Sequence, residues 1–305
     1  MSIEIVPAAA ESVLDWHSLT EALVAGHTLP RAKVADSLLY RGNDTLLNRA
    51  AWIDGLGQLV KCATIFPGNG AYGLPSVNGS ATLYADQTGV AEALVDFHLL
   101  TKWKTAGDSL LASKRLARPD SRKILLIGAG NVARSMVSAY ASCFTGAVFS
   151  VWSRNPVSAA DFADANPCVT AVSDLEAAVR GADIICTATM SKQPLLRGEW
   201  LQPGQHVDLI GAYPPVMREA DDAALARARL FVDSRDTTLK HIGELMIPLA
   251  SGAISESHVV ADFYDLPKGS FTRRSDDEIT IAKNGGGAHL DLMTATYILQ
   301  AWRNR

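Results

Sequence analysis

Through the first hundred residues, apolar and polar positions alternate in short runs. Residues 33–40, 46–54, 57–66, 80–86 and 89–97 show the two-residue rhythm of half-buried strands, and Gly, Asn, Asp or Pro lies between most of them. The pattern predicts an antiparallel sheet of hairpins, one of them turning at Asp86–Gly89. Residues 15–27 and 100–117 carry apolar positions at helical spacing instead, and Pro119-Asp120-Ser121 ends the second helix. From Lys123 the rhythm changes. Short apolar runs at 123–127, 147–152, 183–187, 206–210 and 229–232 alternate with helical segments near 131–143, 156–165, 174–180 and 221–227. Such alternation implies a parallel sheet covered on both faces. The tail returns to a strand at 278–283 and a long apolar helix at 288–302, which is expected to pack back on the first part. The expected fold is therefore α/β: a parallel-sheet domain over 119–285, and a discontinuous α+β domain of 1–118 and 286–305 with a mostly antiparallel sheet.

Composition narrows the classes. The chain has 305 residues, 48% hydrophobic and 20% charged, with a formal net charge of -4. A chain this long needs no disulfide or metal staple. The acidic balance argues against nucleic acid as a partner, and the basic run 114–123 reads as a solvated helix end and linker. Cys62, Cys143, Cys168 and Cys186 form no C-x-x-C pair and are expected to be buried free thiols in a reducing, cytoplasmic compartment. No signal-peptide pattern opens the sequence and no run of about 18 apolar residues spans a membrane. The seven histidines show no ligand spacing, so no metal site is expected.

Candidate chemistry begins where the rhythm changes. The run Lys123–Tyr140 reads strand, Gly128-x-Gly130-x-x-Ala133, helix, with Asn131 and Val132 inside the motif. Glycines permit a tight turn and close approach of a pyrophosphate to backbone amides, while the helix start supplies partial positive charge. The strand context on one side and the helix on the other raise this above an ordinary Gly-rich turn. The next strand ends in Ser153, Arg154 and Asn155, where an NAD site usually carries an acid for the ribose 2′-hydroxyl. Arginine and serine suit a 2′-phosphate, so NADP(H) is expected ahead of NAD(H). The strand at 183–187 ends in Thr187, Ala188 and Thr189, which either border the nicotinamide ribose or merely cap a turn. Gly285–Gly287, after Asn284, either admit a ligand to the backbone or give plain loop flexibility.

Three basic residues sit oddly. Arg41 follows an apolar strand, Lys61 lies between Val60 and Cys62, and Lys104 lies in a helical segment. Each alone is ordinarily a solvated side chain. Together they would suit an anionic substrate. With these in hand the chain resembles the ornithine cyclodeaminase/μ-crystallin family over nearly its whole length. The resembling pieces are Arg41, residues 60–69, 101–118, 127–133, 152–156, 181–189, 211–222, 230–237 and 278–292, in order and at suitable spacing.

The resemblance implies a central Rossmann-type NADP(H)-binding domain, and a substrate-binding domain that also makes a homodimer. It implies that Arg41, Lys61 and Lys104 surround the substrate carboxylate and reacting carbon, and that Thr105 meets a cofactor phosphate. Many relatives have Arg-Thr where this chain has Lys104-Thr105, and lysine lacks the bidentate fork. It also implies cofactor contacts at Gly211, Ala212 and Asn284. Tyr213 is expected to border the substrate; cyclodeaminases carry an aspartate there, and a phenol cannot replace a carboxylate base near neutral pH. Gly211, Ala212, Pro215, Arg218, Glu219 and Asp221 are similar instead to the reductase pattern. The expected activity is NADPH-dependent reduction of a cyclic imino acid, Δ1-pyrroline-2-carboxylate or Δ1-piperideine-2-carboxylate, to L-proline or L-pipecolate. Alternatives within reach of the same residues are ornithine cyclodeaminase, an alanine or N-alkyl amino acid dehydrogenase, and a μ-crystallin-like binding protein.

Overall fold

The computed structural model describes residues 3–305. In chain order the first elements are β1 (Glu4–Val6), α1 (Trp16–Gly26), β2 (Lys33–Arg41), β3 (Asp44–Ile53), β4 (Gly57–Ile65), β5 (Val77–Tyr84), β6 (Ala91–Val95) and α2 (Phe97–Leu116). They continue as β7 (Lys123–Ile127), α3 (Asn131–Cys143), β8 (Val148–Trp152), α4 (Pro156–Asp164), β9 (Val169–Ala171), α5 (Leu175–Gly181), β10 (Ile184–Thr187) and β11 (His206–Leu209). The last are α6 (Asp222–Arg227), β12 (Arg229–Val232), α7 (Arg235–Thr238), α8 (Gly243–Ser251), β13 (Val259–Ala261), β14 (Thr280–Lys283) and α9 (Ala288–Arg303).

Two compact units result. One joins the chain up to Thr105 with Gly287–Arg305, and the other is Ala106–Gly286. The division falls inside α2 rather than at the Pro119 turn, because the second half of that helix packs with the parallel sheet.

The first unit holds a six-stranded sheet in the order β1-β6-β5-β4-β3-β2. All pairs are antiparallel except β1 with β6. The Asp86–Gly89 turn joins β5 to β6, with the Ala85 amide donating to Val90 and Gly89 at φ 64. Helix α9 packs on α1, β3 and β4. It buries Leu290, Leu292, Met293, Ile298 and Leu299. Each such side chain removed from water contributes about 1.5–3 kcal/mol, which anchors the helix.

The second unit is an eight-stranded parallel sheet, ordered β13-β12-β14-β11-β10-β7-β8-β9. Successive strand residues point to opposite faces, and both faces are covered. Leu125, Ile127, Ile185, Val207, Leu209, Leu230 and Ile281 share a core with Val179 of α5 and Leu225 of α6. The alternate positions turn to α2 and α3. There Asp208 accepts from Ser113 at 2.6 Å and from the Tyr140 hydroxyl, which burial and this carboxylate hold protonated.

The chain runs outward through β7, β8 and β9, then returns to β10 on the other side of β7. That reversal leaves a crevice at the carboxyl ends of β7 and β10, the place where parallel sheets bind ligands. The three-residue strands β1, β9 and β13 carry too few residues to show a period and are visible only in the structure. The thiols differ from expectation too. All four are free, but only Cys186 is buried, and Cys168 is exposed in the turn before β9.

Candidate active site

At the crevice of the parallel sheet lies a cleft of about 450 Å³, lined by Gly128 and Ala129 after β7, Trp152–Asn155 after β8, and Ala188–Ser191 and Leu195 after β10. Gly128 sits at φ 113, and a Cβ there would stand 2.6 Å from the Ala188 carbonyl oxygen. Glycine is required on both counts. Gly130 precedes α3 in extended backbone, and a Cβ on it would meet nothing within 4 Å. The start of the 13-residue α3 is thus open. Ala133 is fully buried under it. No carboxylate lines the cleft. Its charged group is Arg154, whose Nη2 donates to Ser191 Oγ at 3.2 Å. An open helix start, a glycine turn, Ser153 and a cation fit a dinucleotide. Asn155 Oδ1 caps α4 by accepting from the Val157 amide, so a structural task explains that residue.

Behind the cleft a buried carboxylate joins two strand ends. Glu219 accepts from Thr187 Oγ1 at 2.8 Å, from the Thr189 amide and hydroxyl at 2.7 Å each, and from the Gly211 amide at 2.7 Å. Ala212 donates to it at 3.3 Å. The expected cofactor contact of Thr187 is therefore corrected: its hydroxyl is fully buried and committed to Glu219, and the residue does not line the cleft. Gly211 is fixed by the same closeness, since a Cβ would run into the Thr189 backbone. Glu244 in turn accepts from the Glu219 and Ala220 amides at 2.6 and 2.9 Å. Burial, reinforced by Glu219, pushes the Glu244 carboxyl up to about 7, against the pull of Lys283. Lys283, fully buried on β14, donates to the Leu209 carbonyl at 3.0 Å, and burial lowers its pKa against the attraction of Glu219, Glu244 and Asp233. Asn284, also buried, donates to Ser109. Tyr213 is 56% exposed.

The first unit holds a second cluster. Lys61 on β4 is buried, and its Nζ donates to Asp291 Oδ1 at 2.7 Å from the first turns of α9, lying 5.0 Å from the Phe97 ring centre. Arg49 on β3 stands directly across the ladder from Lys61. Its Nη2 donates to Asp36 at 2.7 Å, and its Nη1 approaches Asp291 Oδ2 at 3.8 Å. The charge of Lys104, on α2, acts on both Lys61 and Asp291. Burial lowers the Lys61 pKa, with Asp291 opposing and Lys104 and Arg49 adding to the shift. For Asp291 burial alone would raise it, but Lys61, Lys104 and Arg49 together hold it below the usual range. Burial keeps neighbouring His289 neutral.

Arg41 does not join this cluster, contrary to the sequence expectation. The register pairs Asp36 with Arg49 and Arg49 with Lys61, while Arg41 pairs with Asp44. Arg41 is five positions along β2 from Asp36, roughly 17 Å at strand rise, and an odd offset turns it to the other face. Its side chain is 80% exposed and bonded to Asp44 at 2.9 Å. Arg49, which sequence reasoning passed over, stands where Arg41 was expected. The signal was present: a hairpin centred on residues 53–57 places 49 opposite 61. Thr105 is half-buried on α2, one residue beyond Lys104. Among the described residues no cluster could hold a metal ion, and no helix is long and apolar enough to cross a membrane.

A model described as the ornithine cyclodeaminase/mu-crystallin family matches residues 54–305. A Delta(1)-pyrroline-2-carboxylate reductase of Paracoccus denitrificans is 53% identical over 291 residues, covering 93% of this chain and 92% of the relative. The structure of a Thermococcus litoralis protein of the same name, in complex with NADH and L-proline, superposes with a TM-score of 0.90 at 26% identity, over 99% of this chain and 98% of that one. An archaeal alanine dehydrogenase dimer with bound NAD gives the same TM-score and identity over 100% and 97%.

Proposed function

The chain belongs to the ornithine cyclodeaminase/mu-crystallin family, and from that premise we propose that it reduces a cyclic ketimine, Δ1-pyrroline-2-carboxylate or Δ1-piperideine-2-carboxylate, to L-proline or L-pipecolate with NADPH. It is a nicotinamide-dependent oxidoreductase acting on C=N bonds. The observation that carries the substrate reading is the buried Lys61–Asp291 pair among further cations, in a chain half identical to a pyrroline-2-carboxylate reductase.

Lys61 and Lys104 hold the substrate carboxylate, which orients the imine carbon. The lowered pKa of Lys61 makes its ammonium a readier proton donor to the imine nitrogen. Gly128, Gly130, Asn131, Val132 and Ala133 would hold the pyrophosphate of the dinucleotide, Thr105 a phosphate, and Ser153 and Arg154 the 2′-phosphate. Ala188, Thr189, Gly211, Ala212 and Asn284 would border the nicotinamide half. When bound, the reduced nicotinamide supplies the hydride. The preference for NADPH rests on Arg154 in a cleft without carboxylates. A cytoplasmic homodimer completes the proposal, with the dimer checked by light scattering.

Purified protein with NADPH and either imine should lose nicotinamide absorbance. Absence of turnover with every cyclic imine, with ammonia released from ornithine instead, would refute the reading. Exposed Tyr213 argues against that cyclodeaminase outcome, because its phenol offers no carboxylate base. Arg154→Asp should weaken NADPH roughly 10–100-fold, the worth of a charge-assisted contact, and favour NADH. An unchanged preference would remove Arg154 from the cofactor site.

A further inference from the structure

Asp291 is fully buried, and its two oxygens differ. Oδ1 accepts from Lys61, whereas Oδ2 has no hydrogen-bond partner among the described residues, Arg49 Nη1 standing beyond bonding distance at 3.8 Å. A buried carboxylate oxygen left without a donor costs free energy in a finished structure and marks a place where a donor arrives from outside. Lys61, Arg49 and Lys104 all act on Asp291, and Arg49 also bonds Asp36. The cluster thus offers positive charge to an anion, with the Oδ2 acceptor beside it.

We propose that Asp291 Oδ2 accepts the N–H of the substrate's protonated imine, making Asp291 the residue that selects C=N over C=O. The inference rests on the reading of this cluster as the substrate-carboxylate site. A 2-imino acid carries its nitrogen one carbon from its carboxylate, so both ends fit one cluster of adjacent cations and an anion. When hydride adds to the iminium carbon, the C=N π pair moves to nitrogen, which keeps its N–H on Oδ2. A further proton, from Lys61 or water, then gives the ammonium product. A 2-keto acid sets an oxygen lone pair against the same carboxylate and is repelled. Arg49 is assigned to the carboxylate end in the place that sequence gave to Arg41.

Two flat ring acids of nearly equal shape test this without turnover. Pyrrole-2-carboxylate presents an N–H where furan-2-carboxylate presents an oxygen. With the full-length protein saturated in NADP+, calorimetry should show pyrrole-2-carboxylate binding on the order of 10–100-fold tighter, the range for a hydrogen bond to a charged group. In Asp291→Asn the ratio should fall to within threefold, because an amide can offer either a donor or an acceptor. Equal binding by the wild type, or an undiminished ratio in D291N, would overturn the assignment. Should D291N not fold, a crystal structure of the wild type with pyrrole-2-carboxylate decides. The ring nitrogen within about 3.2 Å of Oδ2 supports the proposal, and a nitrogen turned elsewhere overturns it. If neither acid binds, the underlying substrate-site reading falls with it, an outcome distinct from equal binding.

Discussion

Replacing Glu219 by glutamine keeps the shape of the side chain and removes its charge. The carboxylate gathers five donors, three on Oε2 and two on Oε1. A glutamine would place its carbonyl oxygen where Oε2 serves Thr187, Gly211 and Ala212. Its NH2 would then face the Thr189 amide, a donor against a donor. The Thr189 hydroxyl can turn to accept, but the amide cannot, and one buried N–H is orphaned at a cost of about 1–3 kcal/mol. The three remaining bonds weaken from charge-assisted to neutral, each by roughly 0.5 kcal/mol or more. Lost attraction to Lys283 and lost repulsion with Glu244 act in opposite senses. The sum is on the order of 3 kcal/mol, about 150-fold in the unfolding constant and a large share of ordinary stability. Urea denaturation should show a lower midpoint with an unchanged slope. Because Thr189 lines the cleft, the dissociation constant for NADPH should rise about tenfold. A midpoint worth less than 0.5 kcal/mol from wild type, with unaltered NADPH binding, would refute the role given to Glu219.

Gly128→Ala places a side chain at φ 113 and a Cβ 2.6 Å from the Ala188 oxygen. It should cost about 2–3 kcal/mol and abolish the fluorescence enhancement of bound NADPH, and wild-type affinity would count against the turn geometry. Glu244 should give stability a pH signature. Its folded pKa of about 7 exceeds the ordinary 4.5 of a glutamate, so the folded state binds the extra proton between them. That contribution is complete below about pH 4.5 and is lost as pH rises through about 7, a change on the order of 3 kcal/mol. Glu244→Gln should flatten the decline in urea midpoint over pH 4.5 to 8. An identical slope in the variant would show that another group titrates.

Much of the architecture was legible because it follows from periodicity. The hairpins of the first hundred residues, the helix after Gly130 and the strand–helix alternation all express local rules, and the structure has them within three residues. The glycine motif was legible for the same reason, since a left-handed turn between strand and helix leaves a residue-type signature. What stayed hidden depends on distance across the fold. Glu219 belonged to a recognisable motif, but nothing local says that its five donors come from two strand ends. Asp291 reads as a polar residue in an apolar helix until β4 delivers Lys61 to it. Arg41 shows the converse failure. Its charge is plain in the sequence, but the register of two hairpins sets it on the far face beside Asp44.

The position of β14 has a consequence for how the protein is made. This strand pairs with β11 on one side and β12 on the other. Until it emerges from the ribosome, the parallel sheet exists as two unjoined parts whose facing edges are unpaired. Strand β12 ends at residue 232 and β14 begins at 280. At roughly 5–20 residues per second of synthesis, that interval lasts about 2–10 s. For those seconds the inner edges of β11 and β12, built from His206–Leu209 and Arg229–Val232, are open to other chains. Misassembly in this protein is therefore a hazard of translation timing, and slow codons before Thr280 would lengthen the exposure.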